Sequence, residues 1–217
     1  MHAFIARLIT GIVLSMGCIA AYYAPPLIIS ATLAAILLLI LLYEWPHFNA
    51  WHLTPLYPVL PFIILILLNN KSTGTGRLDL VWIIAIAVSH DTGAYITGKI
   101  VSSLSKVHPL CPAVSPGKTW EGFFGGLVCS SMIAGLIYYY APYSPLTLTP
   151  LITFIMIVLA LNISAVGGDL FESYLKRRAG LKDSGTLLPG HGGLLDRFDS
   201  IIFTTTAWFL MKKFLMV

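Results

Sequence analysis

The chain has 217 residues, 57% of them hydrophobic and only 10% charged. A soluble domain carries about 25% charged residues, so 13 Lys or Arg and 9 Asp or Glu are too few to cover a water-exposed surface. Together with a mean hydropathy of +0.85, this excludes a soluble globular enzyme, a disordered chain, a nucleic-acid-binding domain with a basic face and a disulfide scaffold. The composition is that of an all-α, polytopic membrane protein. A net charge of +4 is expected to sit in cytoplasmic loops rather than to mark a nucleic-acid partner. Cys18, Cys111 and Cys129 follow no zinc or redox spacing.

Charges are absent between Arg7 and Glu44, between Glu44 and Lys71, and between Glu121 and Asp169. A spanning helix needs roughly 20 apolar residues. With Pro, Gly and charge as punctuation, seven membrane segments are predicted (six to eight being compatible with the pattern). They are Ala3–Ala24, Pro26–Trp45, Pro55–Asn69, Leu78–Gly98, Thr119–Tyr140, Thr147–Val166 and Ser200–Leu215. The first is expected to be an uncleaved anchor, because no small-residue cleavage site follows it and another span comes at once. With the N-terminus inside, nine basic residues fall on the cytoplasmic side and four (Lys71, Arg77, Lys212 and Lys213) on the other. The basic excess therefore favours an N-inside topology, against which Lys212 and Lys213 count. Residues 1–217 read as one membrane-embedded domain.

Chemistry concentrates between Asp169 and Asp199. This stretch holds Asp169, Glu172, Lys176, Arg177, Arg178, Lys182, Asp183, Asp196, Arg197 and Asp199, close to half of all the charges. The sixth segment is predicted to continue as a helix through DLFESYLKRR. Asp169, Glu172, Ser173 and Lys176 then share one face at i, i+3, i+4 and i+7. An ordinary salt-bridged helix face would have the same spacing, but here it begins at the membrane edge. Next, Gly190, Gly192 and Gly193 surround His191, where backbone could approach a ligand. Asp196 and Asp199 open the last segment at i, i+3. Two carboxylate pairs at one interface suit Mg²⁺, with phosphate and water completing its shell. Lys176, Arg177, Lys182 and Arg197 would neutralise phosphate oxygens. Such parts point to phosphoryl or nucleotidyl transfer.

A second cluster lies upstream, in SHDTGAYITGK (89–99) and SPGKTWEGFFGG (115–126). Asp91 falls inside an apolar segment, where an ionisable side chain is a functional candidate by default. Gly117–Thr119 reads GKT but is not a P-loop, because the required preceding glycine position is Pro112. Lys118 and Thr119 are expected to begin a helix whose N-terminus could meet an anion.

The run ESYLKRRAGLKDSGTLLPGHGGLLDRFDS, with DTGAY…GK and SPGKTWEGFFGG before it, closely resembles the signature of the bacterial phosphatidate cytidylyltransferases, or CDP-diacylglycerol synthases. Glu44-Trp45 is similar to a weaker element of the same family. The strong elements cover residues 89–126 and 164–200. The resemblance implies transfer of a cytidylyl group from CTP to phosphatidate, Mg²⁺ dependence with a monovalent cation such as K⁺ beside it, and a helical fold with a polar cavity open to cytosol and bilayer. It also implies a tendency to dimerise and a multi-pass location in the bacterial inner (cytoplasmic) membrane. Asp169 and Asp196 match the family's metal-binding carboxylates. Lys176, Arg177, Lys182, Asp183, His191 and Arg197 match its charged signature positions, and Asp91, Ser115 and Lys118 its upstream block. Asp169, Asp196, Lys176, Arg197, Lys182 and Asp183 are therefore the expected catalytic set. Asp91, Ser115, Lys118, Glu172, Ser173, Arg177, His191 and Asp199 are the expected substrate-binding set.

The spacer from Ile100 to Val114 is longer than the family's, and Ala165 stands where a Ser is common. Rival readings are a polyprenol kinase, an archaeal-type CDP-lipid synthase and an ion-coupled transporter using Asp91. The last lacks paired broken helices or inverted repeats.

Overall fold

The computed structural model describes residues 23–70, 75–140, 150–188 and 192–215. Residues 3–22 of the expected first segment, together with Gly190 and His191, lie outside the described residues. The described residues form six α-helices and one β-hairpin, joined by short turns and loops. Helix α1 (Pro26–Leu39) starts on Pro26, whose fixed φ suits a first helical position, and runs into a π-helical turn at Ile40–Glu44. Short turns at Trp45–Phe48, Trp51–Leu53 and Pro55–Val59 lead into α2 (Leu60–Asn69). Helix α3 (Thr75–Leu104) is followed by the antiparallel strands β1 (Pro109–Cys111) and β2 (Ser115–Thr119). Helices α4 (Trp120–Tyr140), α5 (Leu151–Arg178) and α6 (Leu195–Leu215) complete the chain.

Five helical stretches among the described residues are long and apolar enough to cross a membrane. They are Pro26–Phe48, Trp51–Asn69, Arg77–Leu104, Trp120–Tyr140 and Leu151–Arg178. Helix α6 carries Asp196, Arg197, Asp199, Lys212 and Lys213 and is not among them. Large apolar side chains point outward, for example Leu27 at 78% and Met132 at 66% exposure. No soluble monomer tolerates so extensive an apolar surface. The chain is a multi-pass membrane protein.

Two buried clusters hold the bundle. Trp82, Ile86, Ile157, Leu161 and Trp208 anchor one, with the Trp82 and Trp208 rings stacked at 6.3 Å. Ile40, Trp45, Tyr57, Phe62, Leu175 and Leu195 anchor the other, which ties the α1 end to α5 and the start of α6. Glycines let helices touch backbone to backbone. A Cβ at Gly126 of α4 would lie 2.6 Å from the His90 carbonyl oxygen of α3. One at Gly168 would run into the Asp199 carbonyl oxygen and come within 3.0 Å of Phe203 Cβ.

The predicted extension of the sixth segment is present, since α5 runs unbroken to Arg178. It stops in a Schellman motif. Gly180 takes φ +72°, Leu181 N–H donates to Lys176 O (2.8 Å) and Gly180 N–H to Arg177 O (3.1 Å). Four further boundaries differ from expectation. α3 is longer at both ends than Leu78–Gly98, the last helix starts at Leu195 rather than Ser200, and the third segment gains the turns from Trp51. The hairpin was not expected: Lys118 and Thr119 close β2 instead of opening a helix. Thr119 then caps α4, its Oγ1 accepting the Gly122 N–H at 3.1 Å.

The bundle has two chemically distinct ends. At one, Asn69 Nδ2 donates to Pro26 O (2.8 Å), Arg77 to Ala24 O, and Lys212 Nζ to both Asp79 oxygens (2.7 Å each). At the other lie Glu44, the hairpin, the C-terminal part of α5 and the first turn of α6.

Candidate active site

Four elements meet around a cavity of about 360 Å³: the middle of α3, the hairpin with the first turn of α4, the C-terminal half of α5, and the first turn of α6. Its charged lining is Asp91, Lys118, Asp169, Asp196, Arg197 and Asp199. Two residues far apart in sequence meet at its wall, where Lys118 Nζ of β2 lies 2.6 Å from Asp169 Oδ2 of α5. Ser173 donates to the other Asp169 oxygen at 3.3 Å, as the shared helix face requires.

Asp196 is the most heavily bonded group. Its Oδ1 accepts from Lys176 Nζ (2.6 Å), and its Oδ2 from the backbone N–H of Gly193 (2.8 Å) and of Ser184 (2.9 Å). Burial pushes its carboxyl up, but the Lys176 ammonium and these two N–H groups outweigh burial and hold it below the ordinary carboxylate value. Lys176 also meets Glu172 Oε2 at 3.3 Å, so one buried ammonium serves two buried carboxylates. Asp91 and Asp199 are joined through Ser200, whose hydroxyl lies 2.8 Å from Asp91 Oδ2 and 3.2 Å from Asp199 Oδ1.

The structure thus brings Asp91, Lys118, Asp169, Asp196, Arg197 and Asp199 to one cavity. Lys176, Glu172 and Ser173 stand behind this wall as partners of its carboxylates. Arg177 turns away: it donates to Val114 O (3.3 Å) and Leu181 O (3.2 Å), tying the hairpin to the end of α5. Ser115, Lys182 and Asp183 are not on the lining, and the last two are exposed.

Two residues on or beside the cavity carry no expected role. His90, 1% exposed, is on the lining and its Nδ1 is 2.7 Å from Asn162 Oδ1. Asn162 Nδ2 donates to Val158 O, so its Oδ1 faces the ring and His90 carries its proton on Nδ1. Its signal in the sequence is a second ionisable residue beside Asp91 in one apolar segment. The other is Glu44, whose carboxylate accepts the Leu194 and Leu195 N–H groups at the start of α6.

Among the described residues, no three His, Cys, Asp or Glu side chains form a ready metal cage. Mg²⁺ needs none, since it takes one or two carboxylates and completes its shell with water and phosphate. The lining offers hard carboxylate oxygens, and Asp169 and Asp196 each already hold a cationic ammonium at 2.6 Å. This donor chemistry fits a hard cation.

The profile of the cytidylyltransferase family matches residues 2–215. The chain belongs to the cytidylyltransferase family. It is 31% identical over 207 residues to a Helicobacter pylori protein named phosphatidate cytidylyltransferase, covering 95% of this chain and 73% of that one. A Staphylococcus haemolyticus protein of the same name is 43% identical over 113 residues, 52% of this chain and 40% of its own length. An Escherichia coli protein described as uncharacterized, YnbB, is 42% identical over 152 residues, covering 69% of this chain and 47% of its own length. The matched stretch thus spans less than half of the staphylococcal and Escherichia coli relatives. The motifs SPGKTWEGFFGG and ESYLKRRAGLKDSGTLLPGHGGLLDRFDS, on which the resemblance rests, contain β2, the end of α5 and the start of α6, which help to enclose the cavity.

Proposed function

We propose that this protein transfers the cytidylyl group of CTP to phosphatidate, giving CDP-diacylglycerol and pyrophosphate. The observation that carries the reading is the convergence of Asp91, Asp169, Asp196 and Asp199 with Lys118 and Arg197 on one cavity. Family membership and the names of the relatives support it. A phosphate oxygen of phosphatidate attacks the α-phosphorus of CTP. A new P–O bond forms, the bond to the β-phosphate bridge breaks, and pyrophosphate leaves with the electron pair. The attacking phosphate is already anionic, so no strong base is needed. The obstacle is repulsion between two polyanions, which fixed cations offset.

Lys118 of β2 and Arg197 of α6 supply these cations, Arg197 through a planar fork suited to phosphate. Asp169 and Asp196 would hold Mg²⁺, which supplies charge neutralisation for the triphosphate. The family resemblance adds K⁺ beside it and a homodimer. Seven membrane passes are proposed, with the N-terminus inside and the cavity facing the cytoplasm of a bacterial inner membrane. The basic excess near the cavity end supports that orientation. The lipid tails stay in the bilayer while the headgroup enters the cavity.

The test is product analysis with purified protein in phosphatidate micelles and labelled CTP. Equal amounts of CDP-diacylglycerol and pyrophosphate, both lost on chelation of divalent cations, are expected. Release of CDP with a phosphorylated lipid would instead identify a lipid kinase.

A further inference from the structure

Glu44 is fully buried, 0% exposed, at the junction between α1 and the following turn. It is off the cavity lining, and the reaction described above does not use it. Its neighbours fix it in place: Trp45 is also 0% exposed, packs on Tyr57 and Phe48, and donates its indole N–H to Thr54 Oγ1 at 2.7 Å. Both oxygens of Glu44 face donors from a segment about 140–151 residues away. Oε1 accepts the Leu194 N–H at 2.6 Å, and Oε2 accepts the Leu195 N–H at 2.8 Å and lies 3.0 Å from Ser184 Oγ.

Leu195 begins α6 and Leu194 precedes it, and neither has a side chain that can cap a helix. A helix start leaves N–H groups without intrahelical partners and favours a negative group there. Glu44 provides that cap from another element. The loop is shaped to receive it. A Cβ at Gly185 would lie 2.9 Å from Glu44 Cγ, and one at Gly193 would lie 2.7 Å from Glu44 Oε1.

The next residues of the same turn are Asp196 and Arg197, both on the cavity. Ser184 Oγ, besides its contact with Glu44, lies 3.0 Å from Asp196 Oδ2 and accepts from Asp196 N at 3.3 Å. One hydroxyl with one proton therefore sits between the two carboxylates. We infer that Glu44 is a positioning residue: through Leu194, Leu195 and Ser184 it sets how the first turn of α6 presents Asp196 and Arg197 to the substrates. This rests on the cavity being the catalytic site.

Glu44→Gln separates the roles. Gln fills the same space, but its NH₂ must face either Leu194 N–H or Leu195 N–H, donor against donor. Turnover should fall by about 10–100-fold, as for other groups that orient a reacting residue. KM for phosphatidate should stay within about twofold, because the interaction lost matters in the transition state. Hydrogen–deuterium exchange at Leu194 and Leu195 should accelerate. Ser184→Ala, which removes only the bridging hydroxyl, should give the same pattern more weakly, and it carries the test if Glu44→Gln does not fold. Full turnover in the folded variant, a loss matching only the unfolded fraction, or unchanged exchange at both amides overturns the inference. A wild-type protein that makes no CDP-diacylglycerol overturns the catalytic reading and Glu44's link to it. The exchange measurement then still decides separately whether Glu44 holds the turn.

Discussion

Lys118 and Asp169 stand 2.6 Å apart, one at the end of the hairpin and the other midway along the C-terminal half of α5. This contact closes one wall of the cavity and pairs a cation suited to phosphate with a carboxylate suited to a metal. In the proposed reaction CTP and Mg²⁺ would give the two charges separate ligands to serve. Lys118→Ala should weaken CTP binding by about 1.5–3 kcal/mol, the worth of a hydrogen bond to a charged group. Steady-state kinetics at varied CTP checks this, and an unchanged KM and turnover would remove Lys118 from the site.

Lys176 has a different task. Its ammonium lies between Glu172 and Asp196, at 3.3 Å and 2.6 Å, with side-chain exposures of 11%, 0% and 7%. Removing one partner of a buried pair leaves uncompensated charge and costs about 3–5 kcal/mol. Lys176→Met should therefore lower thermal stability in detergent as well as turnover. A variant as stable as the wild type would show that the two carboxyls do not depend on Lys176.

Close approach of α5 and α6 depends on Gly168. Its missing Cβ makes room for the Asp199 carbonyl and Phe203. Gly168→Ala should cost about 1–3 kcal/mol by overpacking. It should also depress turnover, since Asp169 and Asp199 flank the contact. Melting temperature and activity, measured together, should both fall.

Asp79, fully buried, and Lys212, partly buried, form an ion pair at the far end of the bundle, about 18 Å along α3 from Asp91 by helical rise. Asp79→Asn should destabilise the protein while leaving KM for both substrates unchanged. A shift in KM for CTP would mean that this end communicates with the cavity. The pair also explains a discordant count. Lys212 argued against the N-inside topology, but its charge is neutralised inside the bundle and carries little weight in loop counting.

The parts of this account that were legible in the sequence are those governed by local periodicity. The continuation of α5 through DLFESYLKRR and the shared face of Asp169, Glu172, Ser173 and Lys176 follow from 3.6-residue spacing alone. The spacing could not tell which of these groups reach the cavity: Asp169 does, whereas Glu172 and Lys176 stand behind it. The hairpin is not legible in the sequence, because Pro109, Pro112 and Pro116 obscure a strand pattern only a few residues long. Glu44 stands out in the sequence only through the resemblance of Glu44-Trp45 to a weaker element of the family. Its partners lie about 140–151 residues downstream, and no local rule links them.

The most direct test of the cavity as the site of reaction is the turnover of Asp169→Asn, measured with CTP, phosphatidate and Mg²⁺ on protein shown to be folded and inserted. Asn keeps the shape and loses the charge that pairs with Lys118. The expected result is a fall in CDP-diacylglycerol formation of at least about a hundred-fold, the scale of losing a charge-stabilising group at a reacting centre. Near wild-type turnover would contradict the assignment of Asp169 and, with it, the reading of this cavity as the active site.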